Sequence, residues 1–175
     1  MKTPFNNIIA TLAIVVAFAS CSKSRPGVHL QIGESMPDFI TYTIDGLNVG
    51  KETLVGKPSI VALFDTRCPD CKAELPEIEK TYRSFREEIN VVAIAREENA
   101  SMVKSFWDGC GYMMPVAAPG KRDIYNLFDR NSMSGIPQVY IFDKAGVVVE
   151  YYDDKNLFNF DNFVEEHAAE LLLEK

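Results

Sequence analysis

The chain has no cluster of lysine or arginine, and its acidic residues outnumber its basic ones 25 to 18, giving a net charge of −7. Phosphate binding needs a basic face, so nucleic acid is not an expected partner. Histidine occurs twice and cysteine four times. Tetrahedral zinc usually takes two cysteine pairs, or a pair plus histidines. Cys21, Cys110, His29 and His167 supply no second pair at ligand spacing, so neither a metal nor any other cofactor is expected. The apolar run Ile8 to Phe18 falls short of the roughly 20 residues needed to span a bilayer. There is no internal repeat, low-complexity tract or sign of a second domain, and a hydrophobic content of 47 % is enough for one core.

Set against these absences is Cys68-Pro69-Asp70-Cys71. It follows a run that reads as a buried strand, Ser59 to Phe64, and precedes one that reads as a helix, Lys72 to about Glu88. Two residues between two thiols let both sulfurs meet in one disulfide. Unpaired N–H groups and the macrodipole favour negative charge at a helix start, which stabilises a thiolate at Cys68. Cys71 is expected one turn in, more buried and less reactive. Asp70 opposes the thiolate and Arg67 favours it.

The first 21 residues form an export signal. Lys2 is its only charge, and Phe18-Ala19-Ser20-Cys21 is similar to a bacterial lipoprotein cleavage box, with lipid placed on Cys21. The alternative is an ordinary secretory signal cut near Ser20. Several acyl chains on Cys21 would anchor stably. Residues 22–32 read as a tether, and 33–175 as the folded domain.

Along that domain, Phe39, Ile40, Tyr42 and Ile44 suggest a strand, Asp45-Gly46 a turn, and Leu47 to Val49 its return. Leu75, Ile78, Tyr82, Phe85 and Ile89 make one face of a helix that Pro76 should kink. Val91 to Ala95 is an apolar strand. A helix runs from an Asn99 cap to Trp107, with Cys110 on its apolar side as a buried, inert thiol, against the alternative of a regulatory or intermolecular disulfide. Met114 to Ala117 is a short strand and Arg122 to Phe128 a short helix. Gln138 to Phe142 and Val147 to Tyr151 form a hairpin about Asp143-Lys144-Ala145-Gly146. Phe160 to Leu173 is a last helix, carrying His167 as a half-buried core residue. Strand–helix–strand order with a terminal hairpin implies a mixed sheet flanked by helices, an α/β fold.

These pieces together resemble the thioredoxin superfamily, in particular its exported, membrane-tethered thiol–disulfide oxidoreductases of the TlpA/ResA type. The likeness rests on Gly33…Pro37-Asp38-Phe39, on Gly56-Lys57-Pro58 leading to Phe64…Cys68-Pro69-Asp70-Cys71…Glu74…Pro76, on Gly135-Ile136-Pro137, and on Phe142-Asp143…Gly146. It departs from the family at two places. Arg67 stands where tryptophan usually precedes the first cysteine, and Ala62 stands where thioredoxin keeps a buried aspartate.

The resemblance implies a thioredoxin-like sheet with an extra N-terminal β-hairpin, a redox-active Cys68–Cys71 disulfide, Cys68 as nucleophile and Cys71 as resolving thiol. It implies Glu74 as a proton shuttle, against the alternative of a solvated helix glutamate, and Pro137 in the cis form. The implied function is reduction of disulfides on exported proteins, as in cytochrome c maturation, with electrons from a membrane donor. The protein would act as a monomer in the cell envelope, anchored by lipid, at the outer membrane in preference to the inner. The alternatives are a disulfide oxidase or isomerase, a non-enzymatic binding lipoprotein, and a peroxiredoxin-like peroxidase. The last needs a threonine three residues before its cysteine, whereas Thr66 is two before Cys68.

Overall fold

The computed structural model describes residues 29–130 and 135–172. The expected export signal, Cys21 and most of the tether lie outside them. Residues 29–32, assigned by sequence to the tether, already belong to the fold: Leu30 is buried and its N–H donates to Phe128 O at 2.8 Å.

The elements run β1 (Ile40–Tyr42), β2 (Asn48–Gly50), α1 (Lys51–Leu54), β3 (Ser59–Phe64), α2 (Pro69–Phe85), β4 (Asn90–Ala95), α3 (Ala100–Cys110), β5 (Val116–Ala117), α4 (Tyr125–Phe128), β6 (Gln138–Phe142), β7 (Val148–Asp153) and α5 (Phe160–Leu172). Five strands form the central sheet in the order β5-β4-β3-β6-β7. β3, β4 and β5 are parallel, while β6 and β7 run antiparallel to their neighbours. The expected mixed sheet with helices and an N-terminal hairpin is what the chain forms.

β3 is central because every one of its residues is apolar or buried, which suits a strand covered on both faces. Ile60, Ala62 and Phe64 face one core layer with Leu75, Ile78 and Trp107. Val61 and Leu63 face the other with Tyr125, Phe128 and Tyr140. Pro76 lies inside α2 without ending it; the helix is continuous from Pro69. Asn99 caps α3 through its side chain, accepting from Met102 N, and Gly111 ends it in the left-handed conformation.

The expected hairpin β1–β2 is present. Thr41 and Thr43 are buried, while Ile40 and Tyr42 are mostly exposed. The hairpin reaches the main sheet by backbone, through Ile44 N to Val116 O at 2.9 Å, so backbone pairing orients it. Cys110 also departs from expectation. It occupies the last turn of α3 and is exposed, because the helix buries the side that carries Val103 and Trp107. His167 is half-buried as expected, 2.8 Å from Glu150 and packed on Phe163. The Arg122–Phe128 helix shortens to α4.

Leu63→Ala empties a fully buried site in the central strand. It should cost about 2–5 kcal/mol in urea unfolding. A loss under about 1 kcal/mol would mean the two layers do not depend on β3.

Candidate active site

Strand register gathers three loops at one end of β3. Phe64 pairs with Ala95 in the parallel neighbour, which sets residues 65–68 beside 96–98. Leu63 pairs with Gln138 in the antiparallel neighbour, which sets Ile136 and Pro137 beside the same strand end.

Cys68 is the N-cap of α2 and Pro69 occupies the first helical position, where its missing N–H is not needed. The Cys71 N–H donates to Cys68 Sγ at 3.3 Å, the bond that a capping side chain makes. Cys68 is half-buried, whereas Cys71 is fully buried; both are free thiols. Burial, foremost, pushes the Cys71 thiol well above the ordinary range, with contributions from the Cys68 sulfur and the Glu74 carboxylate. The Ile136–Pro137 peptide is cis, and Cys68 Sγ lies 3.5 Å from Ile136 O. Pro137 itself is buried.

Glu74 is 2 % exposed and not the solvated helix glutamate of the alternative reading. One oxygen accepts from Phe158 N at 2.7 Å. Burial raises its pKa to about 8, with Asp153 and Asp70 adding to the rise and the Phe158 hydrogen bond opposing it. Ala62 is buried and brings no titratable group to the strand.

Sequence reasoning missed the network that shapes the loop ahead of the dithiol. Asp65 is buried. It accepts from Arg67 Nε at 3.0 Å and Nη2 at 2.8 Å, from Arg67 N at 2.9 Å, and from Arg96 Nη2 at 3.3 Å. The Arg67 hydrogen bonds hold its carboxyl below the usual range against the burial that would raise it. Glu98 accepts from Thr66 N at 2.7 Å and from the Thr66 hydroxyl. A signal existed: residues that follow two adjacent parallel strands must meet, and both segments are charged. Behind the cis-proline loop, Gln138 Nε2 donates to Gly135 O at 2.9 Å and to the Tyr125 hydroxyl at 3.1 Å.

For a metal, the dithiol offers two ligands. Away from the motif, Glu150, Glu166 and His167 bring one ligand atom each within 4.8 Å of one another. Glu150 there is already engaged by His167 and by the Tyr152 hydroxyl.

Comparison with known proteins fits this geometry. The profile of the AhpC/TSA family matches residues 32–151. The chain belongs to the AhpC/TSA family. Thiol-disulfide oxidoreductase ResA of Bacillus thuringiensis (strain Al Hakam) is 27 % identical over 122 residues, 69 % of each chain. Thioredoxin-like protein YneN of Bacillus subtilis (strain 168) is 29 % identical over 132 residues, 74 % of this chain and 75 % of its own. Among solved structures, a candidate protein disulfide isomerase from Bacteroides thetaiotaomicron superposes with a TM-score of 0.74 at 26 % identity, over 81 % of this chain and 91 % of that one. The thioredoxin domain of a Bacteroides vulgatus thiol-disulfide oxidoreductase gives 0.66 at 19 % identity, over 78 % and 97 %. The fold is thioredoxin-like.

Glu74 holds its proton to about pH 8 in the native protein, whereas an ordinary glutamate releases it near 4.5. The native state therefore binds more protons than the unfolded state between those values. Its contribution is fully present below 4.5 and is lost as pH rises to about 8. Glu74→Gln should thus gain stability over the parent as pH rises through this window. The gain is on the order of a few kcal/mol, since each pH unit of the window adds about 1.4 kcal/mol. Urea unfolding of both proteins at about pH 5 and pH 8 reads the difference; a difference independent of pH would mean that Glu74 is ionised throughout.

Proposed function

We propose that this thiol–disulfide oxidoreductase reduces disulfides of exported proteins, with Cys68 attacking and Cys71 resolving. The observation that carries the reading is the asymmetry of the pair. A half-buried sulfur caps a helix beside a cis-proline loop, and a fully buried one sits a turn deeper next to a buried acid.

The Cys68 thiolate attacks one sulfur of a substrate disulfide, forms a mixed disulfide and releases the first substrate thiolate. Cys71 then attacks Cys68 Sγ, closing the Cys68–Cys71 disulfide and releasing the second thiolate. Two electrons pass to the substrate. The second step needs a proton removed from a thiol whose burial holds it protonated. Glu74, titrating at about 8, takes that proton when ionised and returns it when a membrane donor reduces the disulfide. Pro137 excludes side-chain bulk from the dithiol, and the backbone at Ile136 pairs with an extended substrate segment.

Reduction is favoured over oxidation by where Arg67 spends its charge. Its guanidinium is paired with Asp65, while Asp70 is exposed in the first turn of α2. A less stabilised thiolate makes the dithiol the better electron donor. The likeness to a candidate disulfide isomerase keeps the oxidase or isomerase reading as the second one. A reduction potential near about −120 mV, typical of a dedicated oxidase, would overturn the reductase assignment. The peroxidase reading is disfavoured because the Thr66 hydroxyl is committed to Glu98. An intact dithiol disfavours the binding-module reading.

The tether and the Phe18-Ala19-Ser20-Cys21 box support an exported lipoprotein held at the outer membrane, working as a monomer on protein thiols such as those of apocytochromes before haem attachment. Cys21→Ala should move the protein from the membrane pellet to the soluble fraction; retention in the pellet would place the anchor elsewhere.

Cys71→Ser should accumulate mixed disulfides with exported proteins through Cys68, and Cys68→Ser should trap almost none. Both variants belong in a Cys110→Ser background, because Cys110 is exposed and would itself capture partners. Trapping by Cys68→Ser equal to that by Cys71→Ser would reverse the two roles.

A further inference from the structure

β6 is buried along its whole length, yet it begins with an amide, Gln138, which is 0 % exposed. A buried amide costs free energy unless its groups are hydrogen-bonded. An apolar side chain would fill the same space without that demand. The strand has spent a core position on polar contacts, and those contacts end at the loop that faces Cys68.

The bonds run in one direction. Asp129 is buried and accepts from the Tyr125 hydroxyl at 2.8 Å. That hydroxyl has a single proton, and Gly135 O at 3.5 Å is the poorer acceptor for it. The Tyr125 oxygen is then left to accept from Gln138 Nε2 at 3.1 Å. At the other end of the amide, the Tyr140 hydroxyl donates to Gln138 Oε1 at 2.7 Å. With one Nε2 proton on Tyr125 and Oε1 on Tyr140, the remaining Nε2 proton goes to Gly135 O, 2.9 Å away. Asp129, Tyr125 and Tyr140 thus fix which way the amide faces, and its last donor is committed to main chain.

That donor orients the peptide unit joining Gly135 to Ile136. The unit is trans, whereas the one after it is cis. In a planar trans peptide the C=O and the N–H point in opposite directions. Holding Gly135 O against the buried amide therefore turns the Ile136 N–H away from it. On the far side of the same residue, Ile136 O lies 3.5 Å from Cys68 Sγ. Pro137 has no N–H to offer, so Ile136 supplies the donor of this loop nearest the sulfur.

We propose that Gln138 is a positioning residue for substrate docking: through Gly135 O it holds the Ile136 N–H ready for a carbonyl of an extended polypeptide that carries the target disulfide. This rests on the oxidoreductase reading and deepens it. The favoured substrates are disulfides flanked by extended main chain, and small disulfides without peptide groups gain nothing from the arrangement. Gln138 touches neither sulfur and takes no part in the exchange.

The test uses pre-reduced protein in a Cys110→Ser background, in single-turnover exchange over a range of substrate concentrations. One substrate is a disulfide between two unstructured peptides, the other 2-hydroxyethyl disulfide. The quantity read is the ratio of second-order rate constants, peptide over small disulfide. Gln138→Met keeps the length of the side chain and removes its donors. It should lower the ratio roughly fivefold, the size of one hydrogen bond between neutral groups, through apparent affinity for the peptide more than through the limiting rate. Tyr140→Phe removes only the hydroxyl that orients the amide and should lower the ratio part of the way. An unchanged ratio in Gln138→Met, with both substrates slowed alike or neither slowed, would overturn the positioning role and leave the oxidoreductase reading intact. If Gln138→Met does not fold, Tyr140→Phe decides by the same ratio. Failure of the parent to reduce either substrate would overturn both readings.

Discussion

Everything at the site depends on the register of β3 with its two neighbours. A parallel partner on one side and an antiparallel partner on the other bring three separate chain segments to one strand end. The segments are 65–68, 96–98 and 136–137, far apart in sequence and brought together by strand pairing. A slip of one residue in either ladder would turn a set of side chains to the opposite face. The dithiol would then lose the cis-proline loop or the charged loop after β4. Because β3 is buried on both faces, such a slip would expose apolar surface, and the core itself enforces the alignment.

The second determinant is a steep gradient of solvation along α2. Within its first two turns the helix passes from a half-buried sulfur to a fully buried one and then to a buried carboxyl. One helix, by geometry alone, assigns different chemistry to residues of similar intrinsic reactivity. Desolvation is the largest influence on both Cys71 and Glu74, ahead of any charge partner.

Much of this was legible in the sequence, and the parts that were not have a common cause. The C-x-x-C pair, the buried strand before it and the helix after it are local patterns, and each stands where expected. Glu74 and Pro137 were reached through resemblance, since neither burial nor a cis peptide shows in a single residue's type. The Asp65–Arg67–Arg96 and Thr66–Glu98 contacts depend on which strand lies next to which, and charged residues at strand ends look like solvated loops until the register is known. Cys110 was misread for a related reason. Apolar periodicity locates a helix, but in its last turn the side chain falls on whichever side the packing of Val103 and Trp107 leaves open.

The Glu98 contact carries a consequence for how the active-site turn stores and releases its disulfide. The turn is pinned on its outer flank by Thr66 against Glu98, within itself by Cys68 N to Asp65 O, and on its inner flank by Lys72 N to Cys68 O. Restraint at these three points favours rotation about the two cysteine side chains over main-chain movement when the sulfur–sulfur bond is made or broken. In the dithiol form these three hydrogen bonds tie the main chain of the turn to Asp65, to Glu98 and to the first turn of α2.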